Sequence, residues 1–163
     1  MLRGDNMNPI GTIIRQKTDH WCGPASMEQA LKKQGVKVKQ EEIAKKTGTT
    51  KDGVDPEPLS EMAKRMGVGS KVVSGNKPKE LLNNLNNEIK KGKSVILDYL
   101  DGNKKTDGHY VTMVKKNKSM LEIIDPYMKK RKLMDIHDFI KHWKDTKISN
   151  GKDFKNTAIV IGK

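Results

Sequence analysis

Cys22-Gly-Pro-Ala-Ser-Met-Glu-Gln-Ala-Leu-Lys-Lys-Gln-Gly35 is the stretch that orders the rest of the chain. Proline in a first turn and glycine beyond a last turn mark the limits of a helix, and Ala25, Met27, Ala30 and Leu31 fall between them near helical spacing. The helix therefore opens at Cys22, the one cysteine of the sequence. With no partner for a disulfide inside the chain, Cys22 is an apolar filler, a metal ligand or a reactive thiol.

Downstream, a short helix is expected from Gln40 to Lys46, closed by Thr47-Gly48. Asp55-Pro56 reads as an N-cap with proline at the first helical position, and Leu59, Met62, Ala63 and Met66 form an apolar stripe that stops at Gly67. Pro78 begins another such run, with Leu81, Leu82, Leu85 and Ile89 on one face and Gly92 as terminator. The pattern then changes to short β-branched runs: Ser94 to Leu100, His109 to Val114, Met120 to Ile124 and Thr157 to Ile161. Asn117-Lys118-Ser119 joins two of them as an antiparallel hairpin. Asp135 caps a last helix, Ile136 to about Lys144, with Ile136, Phe139, Ile140 and Trp143 as its apolar face. Asp101 to Gly108 reads as a flexible loop, and Lys129, Lys130, Arg131 and Lys132 as a basic surface turn. Helices first and strands later describe an α+β domain, N-terminal helices packed on a C-terminal antiparallel β-sheet. The expected organisation is a tail over residues 1–10 and one domain over 11–163.

The balance of 33 basic against 20 acidic side chains leaves a formal charge of +13, a field that favours acidic partners. The lysines are dispersed and no reading element accompanies them, so no specific nucleic acid is expected. No apolar run approaches the roughly 18 residues of a membrane span, and Met1 to Gly11 has no signal-peptide core. A cytoplasmic location is the default expectation. The close-spaced ligand pairs of zinc sites are absent, so no metal and no cofactor is expected.

A thiol becomes a nucleophile when its thiolate is stabilised by a helix N-terminus and a nearby imidazolium. Of the four histidines, His137 and His142 fall on the charged C-terminal helix and His20 in the loop before Cys22. His109 stands at the mouth of a strand and is the candidate base. Its ring needs an orienting group, and Asp125, ending the partner strand of the hairpin, is the best placed; Asp98 and Asp107 are rivals on position. Gln16, six positions before Cys22, is a candidate oxyanion donor beside the backbone N–H of the helix start. Trp21, Gly23 and Gly108, neighbours in sequence of the thiol and the imidazole, are the substrate-binding candidates. On the period-2 alternation of the strand, Val111 and Met113 share the His109 face, and Tyr110, Thr112 and Val114 take the other as core or sheet surface.

Three segments, Gln16-Lys-Thr-Asp-His-Trp-Cys22-Gly-Pro-Ala-Ser26, Gly108-His109-Tyr-Val-Thr-Met-Val114 and Ile124-Asp125-Pro126, resemble in type and order the motifs of the C39 and C39-like peptidases. The resemblance runs from about Ile10 to Ile161 and includes Gly53-Val-Asp-Pro56 to Leu59. It implies a papain-like fold and cysteine-peptidase chemistry: Cys22 as nucleophile, His109 as acid/base, Asp125 as orienter and Gln16 in the oxyanion hole. It also implies a peptide or protein substrate, cut after small residues such as Gly-Gly. Transporter-linked members of that family commonly carry aspartate just before the cysteine, where this chain has Trp21. The same thiol site also fits an acyltransferase or transpeptidase similar to phytochelatin synthase, and the fold alone fits a non-catalytic peptide-binding module.

Overall fold

The structure, a computed structural model, describes residues 12–100, 108–146 and 153–162. Helix α1 (Cys22–Lys33) is followed by α2 (Gln40–Thr47) and α3 (Pro56–Arg65). The short strand β1 (Ser70–Val73) precedes α4 (Pro78–Lys90). Then come β2 (Ser94–Leu100), β3 (Gly108–Lys116), β4 (Met120–Asp125) and β5 (Lys130–Asp135). Helix α5 (Ile136–Lys141) and strands β6 (Lys144–Thr146), β7 (Asp153–Lys155) and β8 (Thr157–Ile161) complete the order. The expected loop over Asp101 to Gly108 lies outside the described residues except for Gly108, the first residue of β3.

The main sheet runs β1-β8-β2-β3-β4-β5 and is antiparallel at every pairing; β6 and β7 form a separate ribbon. Helices cover both of its faces. On one, Met27 and Leu31 of α1, Ile43 of α2 and Leu59 and Met62 of α3 pack against Ile96, Tyr110, Ile159 and Ile161. On the other, Leu82, Leu85 and Ile89 of α4 and Phe139 of α5 meet Val95, Leu97, Val111, Met113, Leu121 and Ile123. This two-sided cover explains why β2 and β8 are apolar almost without alternation: every residue of both strands is buried. The α+β class holds, with helices on both faces of the sheet.

Two local expectations are corrected. Lys130, Arg131 and Lys132 are not in a turn; they belong to β5, paired with β4 at the edge of the sheet, and only Lys129 stays in the turn. Edge strands hold their register through one neighbour and keep their other side in water, so lysine and arginine are tolerated there and discourage edge-to-edge association. The last helix stops at Lys141 rather than near Lys144. Its next carbonyl, that of His142, accepts from Leu100 N–H at 2.8 Å, and the Trp143 indole N–H turns inward to donate to the Thr157 carbonyl at 2.9 Å. Those tertiary bonds draw the chain into the β6 ribbon. Its start is as expected, with Asp135 Oδ1 accepting from Asp138 N–H at 3.1 Å.

Candidate active site

The N-terminus of α1 abuts the first residues of β3, and this junction brings together residues distant in sequence. Tyr110 is the clamp. Its N–H donates to Cys22 Sγ at 3.5 Å, its carbonyl accepts from Ser26 Oγ at 3.3 Å, and its phenol donates to the Val54 carbonyl at 2.7 Å. Ser26 lies one helical turn beyond Cys22, so both contacts fall on one face of α1. Gly23 allows this approach: a Cβ there would lie 2.8 Å from Val54 Cγ1, 3.1 Å from Leu59 Cδ1 and 3.2 Å from Tyr110 Cδ2.

Thr112 pairs with Ile124 across β3 and β4, which sets Asp125 diagonally across from His109. The ring uses that geometry: His109 Nε2 and Asp125 Oδ1 are 2.8 Å apart. The same carboxylate oxygen accepts the Tyr127 N–H at 2.9 Å, from the turn that follows β4. The Cys22 sulfur also acts on the His109 ring, favouring its protonated form. His109 is thus hydrogen-bonded to the carboxylate and feels the charge of the thiol group. Behind it Tyr99 packs at a centroid distance of 6.0 Å, itself 5.4 Å from Phe139, a set of rings that limits the imidazole's freedom on the core side.

Burial of the His109 ring works against its charge, but the Asp125 hydrogen bond and the Cys22 sulfur more than offset it, lifting the ring from 6.5 to about 10. At neutral pH it is an imidazolium. For Asp125, burial again opposes the charge, yet the hydrogen bond and positive charge of His109 and the Tyr127 N–H hold its carboxyl below the usual 3.8.

Gln16 is buried beside this group. Its N–H donates to the Pro126 carbonyl at 3.0 Å, one residue past Asp125, and its Nε2 donates to the Thr18 carbonyl at 2.7 Å. An amide nitrogen carries two hydrogens, so one remains for a further acceptor. Trp21 holds the N-cap position of α1, half-buried, its ring edge-on to His20 at 6.3 Å. Gly23 is buried, and its van der Waals surroundings account for the glycine. Gly108 is half-buried at the head of β3, opposite Leu100. The rival Asp98 is buried within β2 opposite Tyr110, and Asp107 lies outside the described residues. His137 is on α5 and His142 follows it as the C-cap.

Sequence reasoning missed Tyr110 as the clamp and Ser26 as its partner. Their signal was the i, i+4 spacing of Cys22 and Ser26 on one helix face, meaningful only once β3 lies against it.

The sequence profile of the Peptidase C39 family matches residues 11–154. The chain belongs to the C39 peptidase family. Its fold is shared with the peptidase domain of Streptococcus ComA, a bifunctional transporter of a quorum-sensing pathway, with a TM-score of 0.71 at 21% identity over 93% of this chain and 97% of that one. A C39-like peptidase from Bacillus anthracis gives a TM-score of 0.71 at 17% identity, covering 95% and 96%. A double-glycine motif protease from an AMS/PCAT transporter, solved with its leader peptide, gives 0.66 at 17%, covering 93% and 91%. No curated protein sequence matches the chain. Among the described residues of this C39 chain, no helix is long and apolar enough to cross a membrane.

Proposed function

We propose that this C39 chain hydrolyses peptide bonds through a thioester formed on Cys22. The observation that carries the reading is the junction of α1 and β3, where Tyr110 N–H meets Cys22 Sγ at 3.5 Å and its neighbour His109 holds Asp125 at 2.8 Å, with the Cys22 sulfur favouring the protonated ring. In this reading the Cys22 thiolate attacks the peptide carbonyl, and the oxyanion takes hydrogen bonds from the Cys22 N–H at the start of α1 and from Gln16 Nε2. The His109 imidazolium, aligned by Asp125, gives its proton to the leaving amine. The neutral ring then takes a proton from water, whose oxygen attacks the thioester and frees Cys22. The preferred substrates are peptides with small residues such as Gly-Gly before the scissile bond. The structural likeness to a double-glycine motif protease bound to a leader peptide supports that choice.

Two measurements test the reading. Iodoacetamide labels Cys22 in the native chain; Cys22→Ala abolishes the labelling, and His109→Ala slows it by about a hundredfold, within the range expected for loss of a positioned acid/base. A peptide carrying Gly-Gly before a reporter amide is cut by the native chain and not by Cys22→Ala. Equal labelling rates with and without His109 refute the paired thiol and imidazole.

A further inference from the structure

The segment carrying Gln16 runs beside α1 and α2 without belonging to a strand of the sheet. Gln16 alone of residues 12–17 is buried, with Ile13 and Ile14 half-buried, and the backbone polar groups that such a segment turns toward the helices need partners there. Here glutamine side chains provide them. Gln29 Oε1, from α1, accepts the Ile14 N–H at 2.7 Å, and its Nε2 donates to the Thr12 carbonyl at 3.4 Å. Gln40 Oε1, from the first position of α2, accepts the Lys17 N–H at 2.9 Å, and its Nε2 donates to the Arg15 carbonyl at 2.8 Å. A carboxamide offers a carbonyl and an N–H as a peptide group does, so each glutamine stands in for one residue of a neighbouring strand.

The placement of Gln40 is specific: its two bonds bracket Gln16, taking the carbonyl of the residue before and the N–H of the residue after. The Gln16 N–H itself goes to Pro126. Gln40 is held in turn, its own N–H donating to Glu28 Oε1 of α1 at 2.8 Å. With relative exposures of 4% for Gln29 and 1% for Gln40, both amides work out of water, where hydrogen bonds are stronger and a missing one is costly.

We propose that Gln29 and Gln40 are positioning residues for the oxyanion donor, fixing the main chain on both sides of Gln16 so that the second hydrogen of its amide can meet the tetrahedral oxygen. This rests on the reading of Gln16 given above. Neither glutamine touches the reacting atoms; they act through the backbone they hold.

The test compares two small probes of the same sulfur. With p-nitrophenyl acetate the Cys22 thiolate adds to the ester carbonyl, an oxyanion forms, and p-nitrophenolate leaves. With iodoacetamide the thiolate displaces iodide at carbon and no oxyanion forms. Gln16→Ala is expected to slow acylation by about a hundredfold while leaving alkylation unchanged. Gln40→Met, matched in size but unable to pair with a backbone, is expected to slow acylation at least about tenfold with the same alkylation rate. The Gln16→Ala/Gln40→Met double variant should acylate no more slowly than Gln16→Ala alone, because the second change acts only through the first residue. Gln40→Glu provides a conservative check: its carboxylate cannot donate to the Arg15 carbonyl, but its protonated form can. Its ratio of acylation to alkylation should recover as pH falls, against a flat ratio in the native chain. Multiplicative losses in the double variant, or parallel loss of both reactions in Gln40→Met, overturn the inference. If Gln16→Ala itself leaves the ratio intact, the oxyanion role of Gln16 fails and takes this inference with it, while the labelling tests of Cys22 and His109 are unaffected.

Discussion

Replacing Asp125 by asparagine removes one charge and little else. The side-chain oxygen can still accept the Tyr127 N–H, now at 2.9 Å, so the turn after β4 keeps its anchor. What His109 loses is one of the two groups that raise its affinity for a proton against the opposing effect of burial. An opposite charge in direct contact shifts a titrating group by about 1–3 units. The Asp125→Asn ring is therefore expected to titrate about 1–3 units below the native value of about 10. A shift of that size corresponds to roughly 1.4–4 kcal/mol of differential stabilisation of the imidazolium. The assay is an NMR titration of the His109 ring, assigned by comparison with His109→Ala, alongside Cys22 alkylation rates over the same pH range. Stability should follow with a definite sign. A raised histidine contributes fully below its ordinary 6.5 and loses the contribution as pH climbs through about 10. The lowered Asp125 carboxyl contributes above its ordinary 3.8 and loses it as pH falls through its depressed folded value. In urea denaturation, the advantage of the native chain over Asp125→Asn should be widest between 3.8 and 6.5 and narrow as pH climbs through about 10. An unmoved His109 titration would refute the electrostatic role given to Asp125.

Gly23→Ala sets helix propensity against packing. Alanine gains at most about 1 kcal/mol over glycine in a helix interior, whereas overpacking costs about 1–3 kcal/mol. A Cβ 2.8 Å from the stiff Val54 side chain decides the sign. Net destabilisation of about 1–2 kcal/mol in urea and a thiol alkylation rate lowered at least about threefold are expected, because the end of α1 that carries Cys22 must back away from Val54, Leu59 and Tyr110. A raised melting temperature with full alkylation would show that the close approach is not needed. For Tyr110→Phe, the loss of the 2.7 Å bond leaves the Val54 carbonyl short of a donor, and a cost of about 1–2 kcal/mol is expected. Equilibrium denaturation with an unchanged m-value measures it.

How far the fold could be read beforehand follows the environment of each strand. β2 and β8 were legible residue for residue because burial on both faces demands nearly continuous apolar runs, and their short length and β-branched residues mark them as strands. β1 and β5 sit at the two edges of the sheet, where one neighbour suffices and water is close. There Lys130, Arg131 and Lys132 satisfy the same backbone geometry as valines would, and only the pairing with β4 reveals them as a strand. The end of α5 was hidden for a related reason. Trp143 continues the helical spacing of apolar residues, yet its indole bond to Thr157 takes it out of the helix, a preference set by a strand fourteen residues away.

The candidate site divides along the same line. Cys22, His109, Asp125 and Gln16 are marked by residue type and local context: a helix start, a strand mouth, a strand end and a fixed step before the thiol. The groups that hold them in place are not. Gln40 begins α2 like any polar residue, and Gln29 is one more polar residue of α1; each gains its meaning from a backbone 10 or more residues away, Gln29 reaching Ile14 across 15 positions and Gln40 reaching Lys17 across 23. Chemistry needs particular side chains, so it leaves a motif. Positioning needs only a donor and an acceptor at the right place, which many residues can supply from many parts of a chain. A thiol site of this kind is therefore most readable in the atoms that react and least readable in the hydrogen bonds that keep them aligned. Gln40 lies on the unreadable side of that division, and so it is there that a single buried amide, far from Cys22 in sequence, is expected to govern the rate at which the oxyanion forms.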